Sequence, residues 1–276
     1  MKNIKHELQE VVSVTNFKGG VGKTTTVQNI SACLLRLNPN LRVLVIDLDQ
    51  QCNLSDFMGW GSYLFAHKEK ECRTIYDAMC NGSSLPVYKN DRGVYYVPGS
   101  SKMQGIDAYL GKQMQPKMVL AKCFRQPIDN HTEDNLDKVV NSFDYVFIDC
   151  PPALSDSTYN AMGVASGLLI PLQMEEYSLS ALTAILTEAD KVKEDLNEGL
   201  EILGLLPVMV DNRPNFTKAA LTHLENGYKD LLLKARVRRS IKLNEAQNEK
   251  LDIFSYAPTC TVAQDYEAAT KELFKL

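Results

Sequence analysis

Residues 16–26 read Asn16-Phe17-Lys18-Gly19-Gly20-Val21-Gly22-Lys23-Thr24-Thr25-Thr26, and they constrain the fold more than any other stretch of the chain. Glycines let the backbone turn so that successive N–H groups point into one cavity, an arrangement that suits phosphate oxygens. An apolar, β-branched run over 11–15 leads directly into this turn, and beyond it Ile30, Leu34 and Leu37 recur at helical spacing over 24–37. Strand, glycine turn and helix together form a phosphate-binding loop, because the helix presents its positive N-terminus to the same anion. In such a loop Lys23 reaches the β- and γ-phosphates and the Thr24 hydroxyl can ligate Mg²⁺. The strict pattern has glycine at position 17, where this chain has phenylalanine. The competing reading, a flexible glycine turn with a solvated lysine, does not account for the flanking strand and helix.

Apolar runs alternate with helical patterns along the rest of the chain. Strands are predicted over 41–48, 94–97, 145–148, 168–172 and 202–210, and helices over 178–196, 218–233 and 262–273. The stretch 59–90 is the most polar and least regular. This order predicts an α/β fold, a doubly wound and mostly parallel sheet with helices on both faces. No linker-like segment divides the 276 residues, so residues 1–276 are expected to form one domain.

The formal net charge of −4 means that any contact with nucleic acid must come from a local patch. The seven cysteines, Cys33, Cys52, Cys72, Cys80, Cys123, Cys150 and Cys260, have no CxxC spacing, which favours reduced thiols over a metal or cluster site. The N-terminus lacks a signal-peptide core and no apolar run approaches about 18 residues, so a cytoplasmic protein without stable membrane insertion is expected.

Ligands of doubly wound sheets lie at the carboxyl ends of the strands. Two acidic strand ends stand out, Asp47-Leu48-Asp49 and Asp149-Cys150-Pro151-Pro152. Carboxylates beside a triphosphate hold Mg²⁺ or orient a water for in-line attack, whereas turn or N-cap aspartates are ordinary at such places.

KGGVGKTT resembles the deviant Walker A signature of the ParA/MinD family, a SIMIBI-type branch of the P-loop NTPases. DLDQQ is similar to the family's DxDPQ, with Gln50 in place of proline, and DCPP to its Walker B and switch II element. Further likenesses run through Arg73–Ala78, Tyr95–Ser100, Ile170–Gln173 and Ser178–Leu182, so the resemblance covers nearly the whole chain. It implies an ATPase that uses ATP and Mg²⁺. Gly19, Gly20, Val21, Gly22, Lys23, Thr24 and Thr25 would hold the nucleotide, with Asn212 near the adenine. Lys18 would cross a dimer interface to the other subunit's nucleotide, joining Lys23 and Asp49 in catalysis. Asp49 would position the attacking water. Asp149 would reach Mg²⁺ through water, and Asp47 would support the site or reach the metal.

Within that family, a membrane-bound MinD type ends in a basic amphipathic helix, which this C-terminus does not resemble. The run 234–242 carries five cations and no acid, enough to neutralise phosphates without reading sequence. A solvated charged face is the plain alternative. The run coincides with the family's DNA-contacting segment, which implies DNA contacts from Arg213, Arg239 and Lys242. The expected function is therefore an ATP-dependent homodimer that binds nonspecific double-stranded DNA. With a ParB-like or cargo-adaptor partner it would partition a plasmid, chromosome or other cargo, nucleoid-associated when ATP-bound. Kept beside this are a mobile-element or MinD-like positioning ATPase and a metabolic P-loop enzyme of the dethiobiotin synthetase type. The N-terminus is expected to be too short for the helix-turn-helix extension of larger plasmid ParA proteins.

Overall fold

A computed structural model describes residues 10–67, 72–174, 178–211 and 222–276. Its eight strands are β1 Glu10–Val14, β2 Val43–Asp47, β3 Pro86–Lys89, β4 Tyr95–Val97, β5 Asp129–Asn130, β6 Tyr145–Asp149, β7 Gly167–Gln173 and β8 Glu201–Val208. They form one sheet in the order β5-β3-β4-β2-β6-β1-β7-β8. Pairing is parallel from β4 through β8, while β3 runs antiparallel to β4 and carries β5 alongside it.

The central strands are apolar on both faces because both faces are covered. On one side Leu44, Ile46, Val146 and Ile148 pack with Ile75, Met79, Leu120, Met162 and Ile185. On the other, Val12, Val14, Val45 and Phe147 pack under Val27, Ile30 and Leu34 of helix Lys23–Leu37 and under Tyr266 and Ala269 of helix Thr261–Phe274. Each fully buried side chain of this kind contributes roughly 1.5–3 kcal/mol relative to exposure.

The stretch 59–90, predicted irregular, instead holds helices Trp60–Ala66 and Ile75–Asn81 and strand β3. The first helix packs through aromatic rings rather than an aliphatic stripe, with Trp60 5.5 Å from Tyr63 and 4.9 Å from Tyr88. The second is fixed by local chemistry. Thr74 and Asp77 form a capping box at its start, and Gly82 ends it at φ 55°.

The helix predicted over 218–233 departs from expectation at its end, and residues 218–221 lie outside the described residues. Leu231–Leu233 leave a turn and bridge to β8 at a single parallel position: Leu205 N donates to Leu231 O at 2.8 Å and Leu233 N to Leu205 O at 3.0 Å. Gly204 permits this approach, since a Cβ there would stand 2.9 Å from Leu233 Cδ1. Among the described residues no helix is long and apolar enough to cross a membrane.

Register decides where the chemistry gathers. Val14 and Asp47 both pair with Asp149, so the carboxyl ends of β1, β2 and β6 finish at one level of the sheet.

Candidate functional site

At that level the chain after β1 turns through Gly20 (φ 73°) and Gly22 (φ 80°), both in the left-handed region. Gly22 opens helix Lys23–Leu37 without a side-chain cap, which leaves its first-turn N–H groups to an anion. Two side chains pin the loop to the sheet. Buried Asn16 donates Nδ2–H to Pro171 O at 2.8 Å and accepts from Lys18 N at 2.9 Å. Gln173, at the end of β7, donates to Gly20 O at 3.0 Å.

Lys23 is nearly buried and donates Nζ–H to Lys18 O at 3.1 Å. Burial pushes its pKa down, opposed chiefly by the charge of Asp149. Thr24 donates its hydroxyl to Asp149 Oδ2 at 2.6 Å. The other carboxylate oxygen, Asp149 Oδ1, is buried with no hydrogen-bond partner. Burial, reinforced by neighbouring Asp47, raises the Asp149 pKa well above the usual carboxylate range. An orphaned, desolvated carboxylate oxygen beside a threonine hydroxyl fits a hydrated divalent cation, which would remove the penalty.

Asp47 is differently engaged. Its Oδ1 accepts from Asp49 N at 3.1 Å, and its Oδ2 accepts from Ser55 N at 2.9 Å and Ser55 Oγ at 2.6 Å. Burial raises its pKa to about 6. Gly99 closes over it, and a Cβ on that glycine would lie 3.0 Å from Asp47 Cγ. Both oxygens of Asp47 are thus held by protein donors, and the residue anchors the 49–55 turn. Asp49, almost buried, accepts from Gln51 N at 3.0 Å and faces the cleft. Cys52, at the start of helix Asn53–Phe57, lies in the left-handed region (φ 54°).

The cleft at the phosphate loop has a volume of about 480 Å³ and is lined by Gly19–Thr25, Asp49 and Pro152. A second cavity of about 170 Å³ adjoins it, with Val208, Val237, Leu243 and Tyr266 as apolar walls. Gly22, Thr25, Met209 and Gln247 line both. Sequence reasoning missed Met209 and Gln247. The first carries a positive φ of 52°, and the second lies five residues beyond the basic run, on helix Ile241–Asn248. Asn212 and Arg213 lie outside the described residues.

The basic run continues along β8, with Val237 N donating to Pro207 O at 2.8 Å and Arg239 N to Val210 O at 3.1 Å. The fold supplies acids that the run itself lacks. Arg236 pairs with Glu225 at 2.7 Å and Lys242 with Glu245 at 2.8 Å. Arg238 donates Nε–H and Nη2–H to nearly buried Asp265, at 2.9 and 2.5 Å, and its backbone N donates there too at 3.0 Å. All three of Arg238, Arg239 and Lys242 are exposed, but Arg238 is also an anchor to the C-terminal helix. Asp265→Ala should destabilise the fold by about 1–2 kcal/mol in urea unfolding, mostly through the lost backbone acceptor. The half-exposed ion pair adds little.

Cys150 is buried, its Sγ 3.2 Å from Ser13 Oγ, and burial pushes its pKa to about 12, so it remains a thiol. Among the described residues no His, Cys, Asp and Glu cluster is suited to holding a metal by itself.

A family model described as an AAA domain matches residues 9–202. The chain is 30% identical over 268 residues to the chromosome partitioning protein ParA of Myxococcus xanthus, covering 96% of this chain and 88% of that protein. It is 28% identical over 267 residues to the sporulation initiation inhibitor protein Soj of Bacillus subtilis, covering 96% and 98%. Among solved structures, it is similar to cobyrinic acid a,c-diamide synthase from Mycobacterium smegmatis with bound ADP and magnesium. That match has a TM-score of 0.76 and 25% identity, and covers 97% of this chain and 95% of that one. A doubly wound sheet, a phosphate loop with a second lysine at position 18 and relatedness across nearly the full length place the chain in the AAA domain family, among the ParA/Soj-type P-loop ATPases of the ParA/MinD superfamily.

Proposed function

We propose that the chain acts as a single-domain, ATP-dependent dimer that binds DNA without sequence preference and positions a replicon or other cargo, in the cytoplasm and on the nucleoid when ATP-bound. The observation that carries the ATPase part is the Thr24–Asp149 hydrogen bond at the mouth of the phosphate loop, with Asp149 Oδ1 left unsatisfied. Thr24 and Asp149 would hold Mg²⁺, the latter through water, and the ion would offset charge on the β- and γ-phosphates. The N–H groups of Gly19–Thr25 cradle the phosphates, Lys23 neutralises them, and Asp49 orients the attacking water. The base occupies the 170 Å³ cavity, whose apolar walls suit a purine face.

Lys18 reaches the nucleotide of a second subunit and makes ATP part of the dimer interface. Dimerisation doubles the Arg239 and Lys242 patches and so couples nucleotide state to DNA avidity. A ParB-like or adaptor protein accelerates hydrolysis and releases the dimer.

Retention on arbitrary duplex DNA with ATP·Mg²⁺, against ADP, across a salt series tests this reading. Binding is expected with ATP, fading with ADP and with rising salt, and Lys242→Glu should remove it. Protein that ignores DNA in both nucleotide states would leave the basic run a solvated face. A small-molecule synthase, as the Mycobacterium smegmatis structure is named, would then be the better reading.

A further inference from the structure

Gln247 bridges two parts of the molecule that lie 222 residues apart in the chain: its side-chain Nε2–H donates to Thr25 Oγ1 at 2.6 Å. Thr25 sits in the first turn of the phosphate-loop helix, and Gln247 on helix Ile241–Asn248, which also carries Lys242. Both residues line both cavities, so this bond stands in the neck between them.

The donor direction matters. A hydroxyl has one hydrogen to give and accepts through its lone pairs. Gln247 fills an acceptor position on Thr25 Oγ1, which leaves the hydroxyl hydrogen to be donated to a ligand oxygen in the cleft. A hydroxyl that already accepts a bond is also the stronger donor.

The chain just after helix Ile241–Asn248 is tied to the same phosphate-loop helix. Gln28 donates to Leu251 O at 3.0 Å, Ile253 N donates to Asn29 Oδ1 at 2.8 Å, and Asn29 donates back to Thr25 O at 2.8 Å. The C-terminal end of the Lys242-bearing helix therefore rests on the turn that would meet the phosphates.

We propose that Gln247 is a positioning residue: it aims the Thr25 hydroxyl at the phosphates of a nucleoside polyphosphate. Through the same bond it links occupancy of the cleft to the placement of the helix that carries Lys242. This rests on the nucleotide reading given above. Linkage makes the coupling reciprocal, so a nucleotide that strengthens the bond also holds that helix.

The test is a double-mutant cycle on ADP affinity by calorimetry, with Gln247→Met, Thr25→Val and the pair. Hydrogen exchange of amides 241–248, with and without ADP, is measured alongside. Each single change should weaken ADP about three- to tenfold, the range of one hydrogen bond. The double variant should be no weaker than the weaker single. ADP should slow exchange over 241–248 in the unaltered protein and much less in Gln247→Met. Gln247→Asn, one methylene shorter, gives the same loss with less disturbance of packing and stands in if the methionine variant misfolds. Additive effects, or equal slowing of exchange in both proteins, overturn the inference and leave the nucleotide reading intact. Failure of the unaltered protein to bind ADP overturns both.

Discussion

Lys23→Met should lower kcat/KM for ATP by about 100- to 1,000-fold, the scale of losing one preorganised charge donor at a reacting phosphoryl group. Methionine keeps the aliphatic stem, so the change removes the cation without opening a cavity. The side chain is nearly buried, and its Nζ already donates to Lys18 O, which aims it across the loop rather than into solvent. Desolvation lowers its pKa, so the folded protein holds this cation at a cost that an anion in the cleft would relieve. Titration with a fluorescent ATP analogue and single-turnover hydrolysis are the measurements. Turnover within about threefold of the unaltered protein would assign the phosphate contact to other groups.

How much of this was legible in the sequence follows from how local each determinant is. The phosphate loop, β2 and β6 were readable because strand, turn and helix signals sit within a few residues of one another. Asp47 and Asp149 were visible as acidic strand ends, but their difference was not. Only the fold brings Ser55 and Gly99 onto Asp47, and only the fold leaves Asp149 Oδ1 unsatisfied. The helix Trp60–Ala66 was missed because aromatic packing on Tyr88 organises it, and that partner lies beyond any window of helical periodicity. The basic run shows the same limit in another form. Arg238 looks equivalent to Arg239 in the sequence, yet Asp265, 27 residues away, makes it an anchor. Likewise no local pattern pairs Gln247 with Thr25.

Asp49→Asn should separate binding from chemistry, with hydrolysis falling about 100-fold or more while ATP and ADP affinities stay within about threefold. Asp49 lies on the cleft wall, in a turn whose backbone is held by Asp47 through Asp49 N and Ser55. The asparagine keeps the side-chain oxygen that accepts from Gln51 N, so the turn should survive. What it loses is the full negative charge needed to orient and polarise a water for in-line attack. Asp149→Asn is the informative contrast. It removes a charge from the carboxylate that Thr24 contacts, so Mg²⁺-dependent nucleotide affinity should fall together with turnover. If ATP joins two subunits, Asp49→Asn should also accumulate as an ATP-bound dimer retained on duplex DNA, because binding persists while the step that ends it is slowed. Light scattering and DNA retention with ATP·Mg²⁺ measure this directly. An Asp49→Asn protein that hydrolyses ATP at the unaltered rate would move the water-positioning role elsewhere in the cleft. One that hydrolyses slowly yet stays monomeric would keep the chemistry and remove the dimer from the mechanism.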